Sequence, residues 1–112
     1  MSIANTENLR WWNIVNTPCR VVGVALVRRG FVAQLHRHAE SETYYILWGV
    51  GHMMIGAERR VVAAPERVVI RGNVPHALTP LSSYVLLVYT FRRGPFENIE
   101  YHFIDRFIDA RL

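Results

Sequence analysis

The chain contains no lysine; all thirteen of its basic residues are arginine. A Schiff base to a carbonyl substrate or to pyridoxal phosphate needs a lysine amine, so that branch of enzymology is excluded. Cysteine is almost absent as well. Cys19 stands alone, which rules out an intrachain disulfide. Its place in "TPCRVV", at the head of an apolar run, predicts a buried, inert thiol. No apolar run approaches the roughly 20 residues that a bilayer-spanning helix needs, so no membrane association is expected. The opening MSIANTENLR lacks the basic-then-apolar pattern of a secretory signal, and a cytoplasmic chain is expected. Helix-turn-helix and zinc-finger patterns are missing too. The net charge of +4 comes from arginines spread along the chain in pairs such as Arg28-Arg29, Arg59-Arg60 and Arg92-Arg93. Such pairs suit strand edges and turn tips, and nucleic acid is not the expected partner.

What remains is a compact composition. With 112 residues, about half of them hydrophobic, the chain reads as one domain, 1–112, with its core over about 21–91. That core is β almost throughout. "VVGVALV" (21–27), "FVAQLH" (31–36), "TYYILW" (43–48), "HMMI" (52–55), "RRVV" (59–62), "RVVIR" (67–71), "HAL" (76–78) and "YVLLVYTF" (84–91) are short β-rich runs. Glycine, proline and asparagine turns separate them. The pattern predicts an all-β antiparallel barrel or sandwich. In the tail, Ile99, Phe103, Phe107 and Ile108 stand near helical spacing, which predicts a short closing helix. The first twenty residues read as polar, with Trp11-Trp12 exposed.

The chemistry concentrates in "HRHAESETYYILWGVG", residues 36–51. On an extended strand His36 and His38 share a face, so both imidazoles can converge on one point while Arg37 turns away. A short loop, Ala39 to Ser41, lets the next strand begin at Glu42, beside the first, and brings in a carboxylate. His76, presented after a turn fixed by Pro75, is the candidate for a third nitrogen. Three nitrogens and one oxygen suit a divalent transition metal: Mn, Fe, Ni, Co or Zn.

The run Gly30-x5-His36-x-His38-x3-Glu42-x6-Gly49 resembles the first signature of the cupin superfamily, G-x5-H-x-H-x3,4-E-x6-G, with every fixed position filled. The second signature, G-x5-P-x-G-x2-H-x3-N, keeps only its histidine, His76. Pro65, Arg71, Asn73 and Pro80 stand at its other positions, and Asn73 is able to adopt the left-handed backbone that the lost glycine would supply. The resemblance implies a cupin-type β-barrel, a double-stranded β-helix or jelly roll. It also implies a metal in the barrel mouth held by His36, His38, Glu42 and His76. Glu40 falls outside the spacing and is expected in solvent or beside a ligand. His52 and His102 fit neither signature.

Alternation groups Tyr44, Ile46 and Trp48 with Glu42, Val32 and Gln34 with His36, and Leu78 with His76. Trp48 is expected in the core. Gln34 and Tyr44 are the candidate polar groups for substrate, with Tyr44 an acid or base. Arg71 is a candidate anchor for an anion. Cupin-like enzymes include dioxygenases, isomerases and lyases. The expected function is therefore a metal-dependent enzyme on a small oxygen-rich or carboxylated molecule. The alternatives are a non-catalytic binding module for a sugar or acid, or a dimeric scaffold. A homodimer is expected, with Trp11-Trp12 and the aromatic tail as contact.

Overall fold

The computed structural model describes residues 7–107, and they form ten strands and one short 3-10 turn. The strands are β1 (Leu9–Thr17), β2 (Arg20–Arg28), β3 (Gln34–Arg37), β4 (Glu42–Trp48) and β5 (Val50–Ile55). They continue with β6 (Glu58–Ala63), β7 (Glu66–Ile70), β8 (His76–Pro80), β9 (Tyr84–Phe91) and β10 (His102–Phe107); the 3-10 turn is Phe96–Asn98. Two five-stranded sheets result, in the orders β1-β2-β9-β4-β7 and β10-β3-β8-β5-β6. Every pairing is antiparallel.

The alternation that suggested strands is the alternation that buries them. In β2, Val21, Gly23, Ala25 and Val27 face inward while Val22, Val24 and Leu26 are only half-buried. β9 repeats the pattern with Val85, Leu87, Tyr89 and Phe91 inside. These side chains meet Met53, Val62 and Leu78 of the other sheet in one core. A smaller cluster, Ala33, Leu35, Met54 and Ala77, is packed by Phe31 and Ile104.

Two glycines of the resembled signature have visible structural reasons. Gly30 and Gly49 sit at φ +100° and +98°, conformations that strain any residue with a Cβ. At Gly49 a Cβ would also strike the Tyr84 carbonyl. Asn73 adopts φ 64°, the left-handed turn expected of it, and its N–H donates to the His38 carbonyl at 2.7 Å.

Four local expectations change. The segment from Leu9 to Thr17, read as a polar terminus, is strand β1, with Trp11 half-buried and Trp12 exposed. Trp48 is 60 % exposed rather than in the core. The β4–β9 register explains it: Ile46 faces Leu87 and Trp48 faces Leu86, so the bulge between them turns the indole outward. Near the C-terminus the helical element is only the 3-10 turn at Phe96–Asn98, and residues 102–107 form strand; Ile108 lies outside the described residues. Cys19 is exposed at the β1–β2 turn. The arginine pairs do lie where edges and turns end: Arg28, Arg29, Arg92 and Arg93 are exposed, and Arg60 pairs with Glu66 at 2.7 Å.

Candidate metal centre

His36 stands directly opposite His76 in the β3–β8 pair, so one register position delivers two imidazoles. His38 follows β3 by one residue and is held by the turn around Asn73. Glu42 reaches the group from a different direction than its sequence proximity suggests. β3 and β4 lie in opposite sheets, and the loop 38–41 crosses from one to the other. Glu42 therefore meets the histidines across the barrel interior, not from an adjacent strand. His38 and His76 are each 1 % exposed and Glu42 is 4 % exposed.

The imidazole hydrogen bonds fix which nitrogens face inward. His36 Nδ1 contacts the Gln34 carbonyl at 3.1 Å, His38 Nδ1 the Glu40 carbonyl at 2.8 Å, and His76 Nδ1 the Val74 carbonyl at 2.9 Å. A carbonyl only accepts, so each Nδ1 carries a hydrogen and donates it. In a neutral ring the Nε2 lone pair is then left free for a ligand. The ligand nitrogens of the three histidines lie within 4.8 Å of one another, a group able to hold a metal ion.

Glu42 completes the arrangement. Its Oε1 lies 3.2 Å from His38 Nε2 and 3.3 Å from His76 Nε2, and His76 Nε2 is buried without a hydrogen-bond partner. With a proton on His38 Nε2 the first contact is a hydrogen bond; with both rings unprotonated the carboxylate faces two lone pairs, an arrangement that a cation between them relieves. Donors about 2.1 Å from one ion stand roughly 3.0 to 3.4 Å apart for octahedral to tetrahedral angles. The two measured separations fall in that interval, so His38, Glu42 and His76 are spaced as donors to one ion are, within reach of the three-histidine group that could hold a metal.

Around the donors lies a shell of aromatic rings. Phe91 and Tyr101 both stand edge-on to His38, at centroid distances of 5.2 and 5.1 Å. Phe103 lies 5.8 Å from His36. A cavity of about 90 Å³ opens beside the site, and His36, Glu42, Tyr44, Leu78, Tyr89 and Tyr101 are among its lining residues. Tyr44 and Leu78 thus stand where alternation placed them. Gln34 and Arg71 do not line this cavity: Gln34 is half-buried and serves through its backbone carbonyl, and the Arg71 side chain is exposed. Val32 is 66 % exposed, because residues 31–33 precede the strand and do not share its alternation. Glu40, outside the motif spacing, orients His38 through its carbonyl. Tyr101 and Phe91 had no part in the sequence reading of the site. The signal for Tyr101 was its period-two company, Ile99 and Phe103 alternating with Glu100 and His102.

Residues 23–88 match the family model described as "Cupin domain". The chain is a cupin. Solved structures share the cupin's fold at low identity. An RmlC-like cupin from Shewanella frigidimarina aligns with a TM-score of 0.73 and 17% identity, over 80% of this chain and 79% of that one. A DMSP lyase from Ruegeria pomeroyi aligns at 0.74 and 17%, over 86% of this chain and 51% of the lyase. Salicylate 1,2-dioxygenase from Pseudoaminobacter salicylatoxidans aligns at 0.77 and 13%, over 92% of this chain. This chain spans only about half of the lyase and 31% of the dioxygenase. No curated protein matches by sequence.

Burial and charge set the protonation of the cupin site. Burial lowers the pKa of His36 to about 4, helped by neighbouring His76. Burial disfavours the Glu42 carboxylate, but the His38 and His76 rings outweigh it and hold the pKa down at about 2. His38 is raised: burial opposes its charge, and the contact with Glu42 overcomes that. Together these three groups contribute most to the stability of the metal-free protein near pH 6.5. Below it, His36 takes up its proton in the unfolded chain first, so stability falls between 6.5 and about 4. Glu42 extends the loss from about 4.5 towards 2. Above 6.5, the contribution from charged His38 disappears as pH rises through its raised pKa. Thermal denaturation of chelator-treated protein from pH 4 to 9 reads this directly. A melting temperature that climbs monotonically across the range contradicts the assignment.

Proposed function

We propose that this cupin is a metal-dependent enzyme acting on a small oxygen-bearing molecule. His36, His38, Glu42 and His76 would hold a divalent transition metal, Mn, Fe, Ni, Co or Zn. The observation that carries the reading is the convergence of three Nε2 lone pairs and one carboxylate in a buried cluster whose Nδ1 positions are already bonded to backbone carbonyls. When bound, the metal supplies Lewis acidity, or redox chemistry if it is iron or manganese, to a substrate oxygen. The fold is shared with a dioxygenase and a DMSP lyase, which places reactions of both types, with isomerisation, in the panel to be tested.

The chain's own residues do the rest. Tyr44 lies against Glu42, and burial together with that carboxylate raises its phenol pKa well above 10. It therefore keeps its proton and acts as a hydrogen-bond donor or acid towards a substrate oxygen, not as a base. Phe91, Tyr101 and Phe103 cover the histidine rings and limit water around the donors. Metal-reconstituted protein is expected to turn over a member of a panel of small alcohols, ketones and hydroxy acids, with His36→Ala inactive. Equal turnover by His36→Ala defeats the metal-centred mechanism.

A homodimer is part of the same proposal. Across the outer face of the first sheet the register sets Arg67, Tyr45, Val88, Val24 and Trp12 in one row. Trp12 is 53 % exposed and Tyr45 41 %, an apolar stripe that a second copy would cover. Light scattering is expected to give twice the chain mass, and Trp12→Arg a monomer; a monomeric parent protein removes the idea. Exposed, unpaired Cys19 suits a reducing cytoplasmic setting.

A further inference from the structure

The walls of the cavity beside the donors are not equally fixed. Much of the lining comes from inner strands: Ala25 from β2, Tyr44 from β4, Leu87 and Tyr89 from β9. Each of these strands is hydrogen-bonded to a neighbour on both sides, so none moves without breaking a ladder. Phe96 and Tyr101 line the cavity differently. They belong to residues 92–101, the crossing from the end of β9 in the first sheet to the start of β10 in the second. Its internal bonds are those of one 3-10 turn, from Asn98 N to the Pro95 carbonyl and from Ile99 N to the Phe96 carbonyl. The crossing runs beside β1, an edge of the first sheet, as β10 is of the second. No strand pairing joins these two edges among the described residues.

One side chain fastens the middle of the crossing. Asn16, near the end of β1, uses both ends of its carboxamide: Oδ1 accepts from the Phe96 N–H at 2.6 Å, and Nδ2 donates to Glu97 Oε1 at 2.7 Å. Further back, the Gly94 N–H donates to the Pro18 carbonyl at 3.0 Å. A Cβ at Gly94 would strike the Thr17 carbonyl, so the glycine lets the chain seat itself directly on the β1–β2 turn. Behind these bonds the Phe96 ring packs on Trp11 at 4.9 Å and on Tyr101 at 6.3 Å between centroids. Asn16 is exposed, so water can replace both of its bonds when they part, and parting them costs little.

A wall must yield if the site is to serve a small molecule. The cavity holds about 90 Å³, against roughly 150 Å³ for one that takes up benzene. An ion needs a path as well, because His38, Glu42 and His76 are almost fully buried.

We propose that residues 94–101 are the gate of this cavity and that Asn16 is the latch that holds it shut. Lifting the segment between the Gly94 contact and the start of β10 parts Phe96 from Trp11, takes Tyr101 off His38 and uncovers His36. The need for a wider cavity rests on the small-molecule reading given above; the route to His36 does not.

The test compares the parent chain with Asn16→Ala, which removes both tethers, and Glu97→Ala, which removes one. In chelator-treated protein at pH 7.5, modification of His36 by diethyl pyrocarbonate is followed by mass spectrometry. His52, on β5 and three strands from β10, is the internal reference. Relative to His52, His36 is expected to react at least about tenfold faster in Asn16→Ala and about threefold faster in Glu97→Ala. In zinc-loaded protein, release of zinc to a chelator is expected to quicken about tenfold in Asn16→Ala. Affinity is expected to change less than about threefold, because entry quickens with exit. Equal His36 reactivity in all three proteins overturns the proposal, and so does His36 and His52 accelerating alike. Faster zinc release with a matching loss of affinity also overturns it, since that marks a damaged donor set and not an opened path. A parent chain that binds no zinc defeats the metal reading, and the His36 rates still decide the gate. Stoichiometric zinc with unchanged His36 rates defeats the gate and leaves the metal reading standing.

Discussion

Replacing His76 with alanine is expected to lower bound metal from about one ion per chain to less than a tenth of that. Its ring is 1 % exposed, and its Nε2 is buried with no hydrogen-bond partner among the described residues. It is also held in place before any ion arrives, by the Nδ1 bond to Val74 and the turn at Asn73. Removing one of the four proposed donors leaves the others too few to compete with water and chelating buffers. A second readout follows from linkage. An ion that binds only the folded chain stabilises it by about 4 kcal/mol when present at roughly a thousandfold its dissociation constant. The rise in melting temperature on adding metal, seen with the parent, is therefore expected to vanish in His76→Ala. His52→Ala is the control, since His52 lies on β5 and belongs to no donor cluster among the described residues. Metal content that falls equally in both variants, or in neither, rejects the assignment.

That the site was readable at all follows from how short its determinants are. His36, His38 and Glu42 lie within seven residues of one another. A backbone that must carry them to one point leaves few spacings open. The alternation in β2 and β9 was legible for a similar reason: β-branched residues recur at every second position and one face is buried. Longer-range features were not legible. The crossing of the loop 38–41 from one sheet to the other depends on which strands pair, and Glu42 pairs with Phe91 and Ile70, far along the chain. The bulge that expels Trp48 is a mismatch between two strands and has no trace in either one. β1 escaped notice because it is an edge strand, mostly exposed and rich in asparagine. The tail was ambiguous on its own terms. Ile99, Phe103 and Phe107 fit a helix, Ile99, Tyr101 and Phe103 fit a strand, and pairing of β10 with β3 decides for the strand. That decision puts Tyr101 over His38, which makes the aromatic cover of the site a product of tertiary structure.

Phe91 ties that cover to the stability of the whole barrel, and Phe91→Ala is expected to cost about 3–5 kcal/mol of unfolding free energy. The ring is 1 % exposed at the end of β9, opposite Val21 on one neighbouring strand and Glu42 on the other. It packs against Tyr89, Phe96 and the edge of His38. Truncation removes the wall shared by the hydrophobic core and the donor cluster. The loss is a large share of the roughly 5–15 kcal/mol that holds a typical domain folded. Phe91→Leu keeps much of the volume, and its cost is expected to be less than half as large. Urea denaturation of chelator-treated protein isolates the packing contribution, with an unchanged slope showing that the unfolded chain is the same. Metal affinity then reports the second consequence. With the wall gone, His38 loses one of its three edge-on ring neighbours, and affinity is expected to fall about 10–100-fold even though all four proposed donors remain. A Phe91→Ala protein that loses less than about 1 kcal/mol and binds metal normally would separate the core from the site, against the continuity that the packing describes.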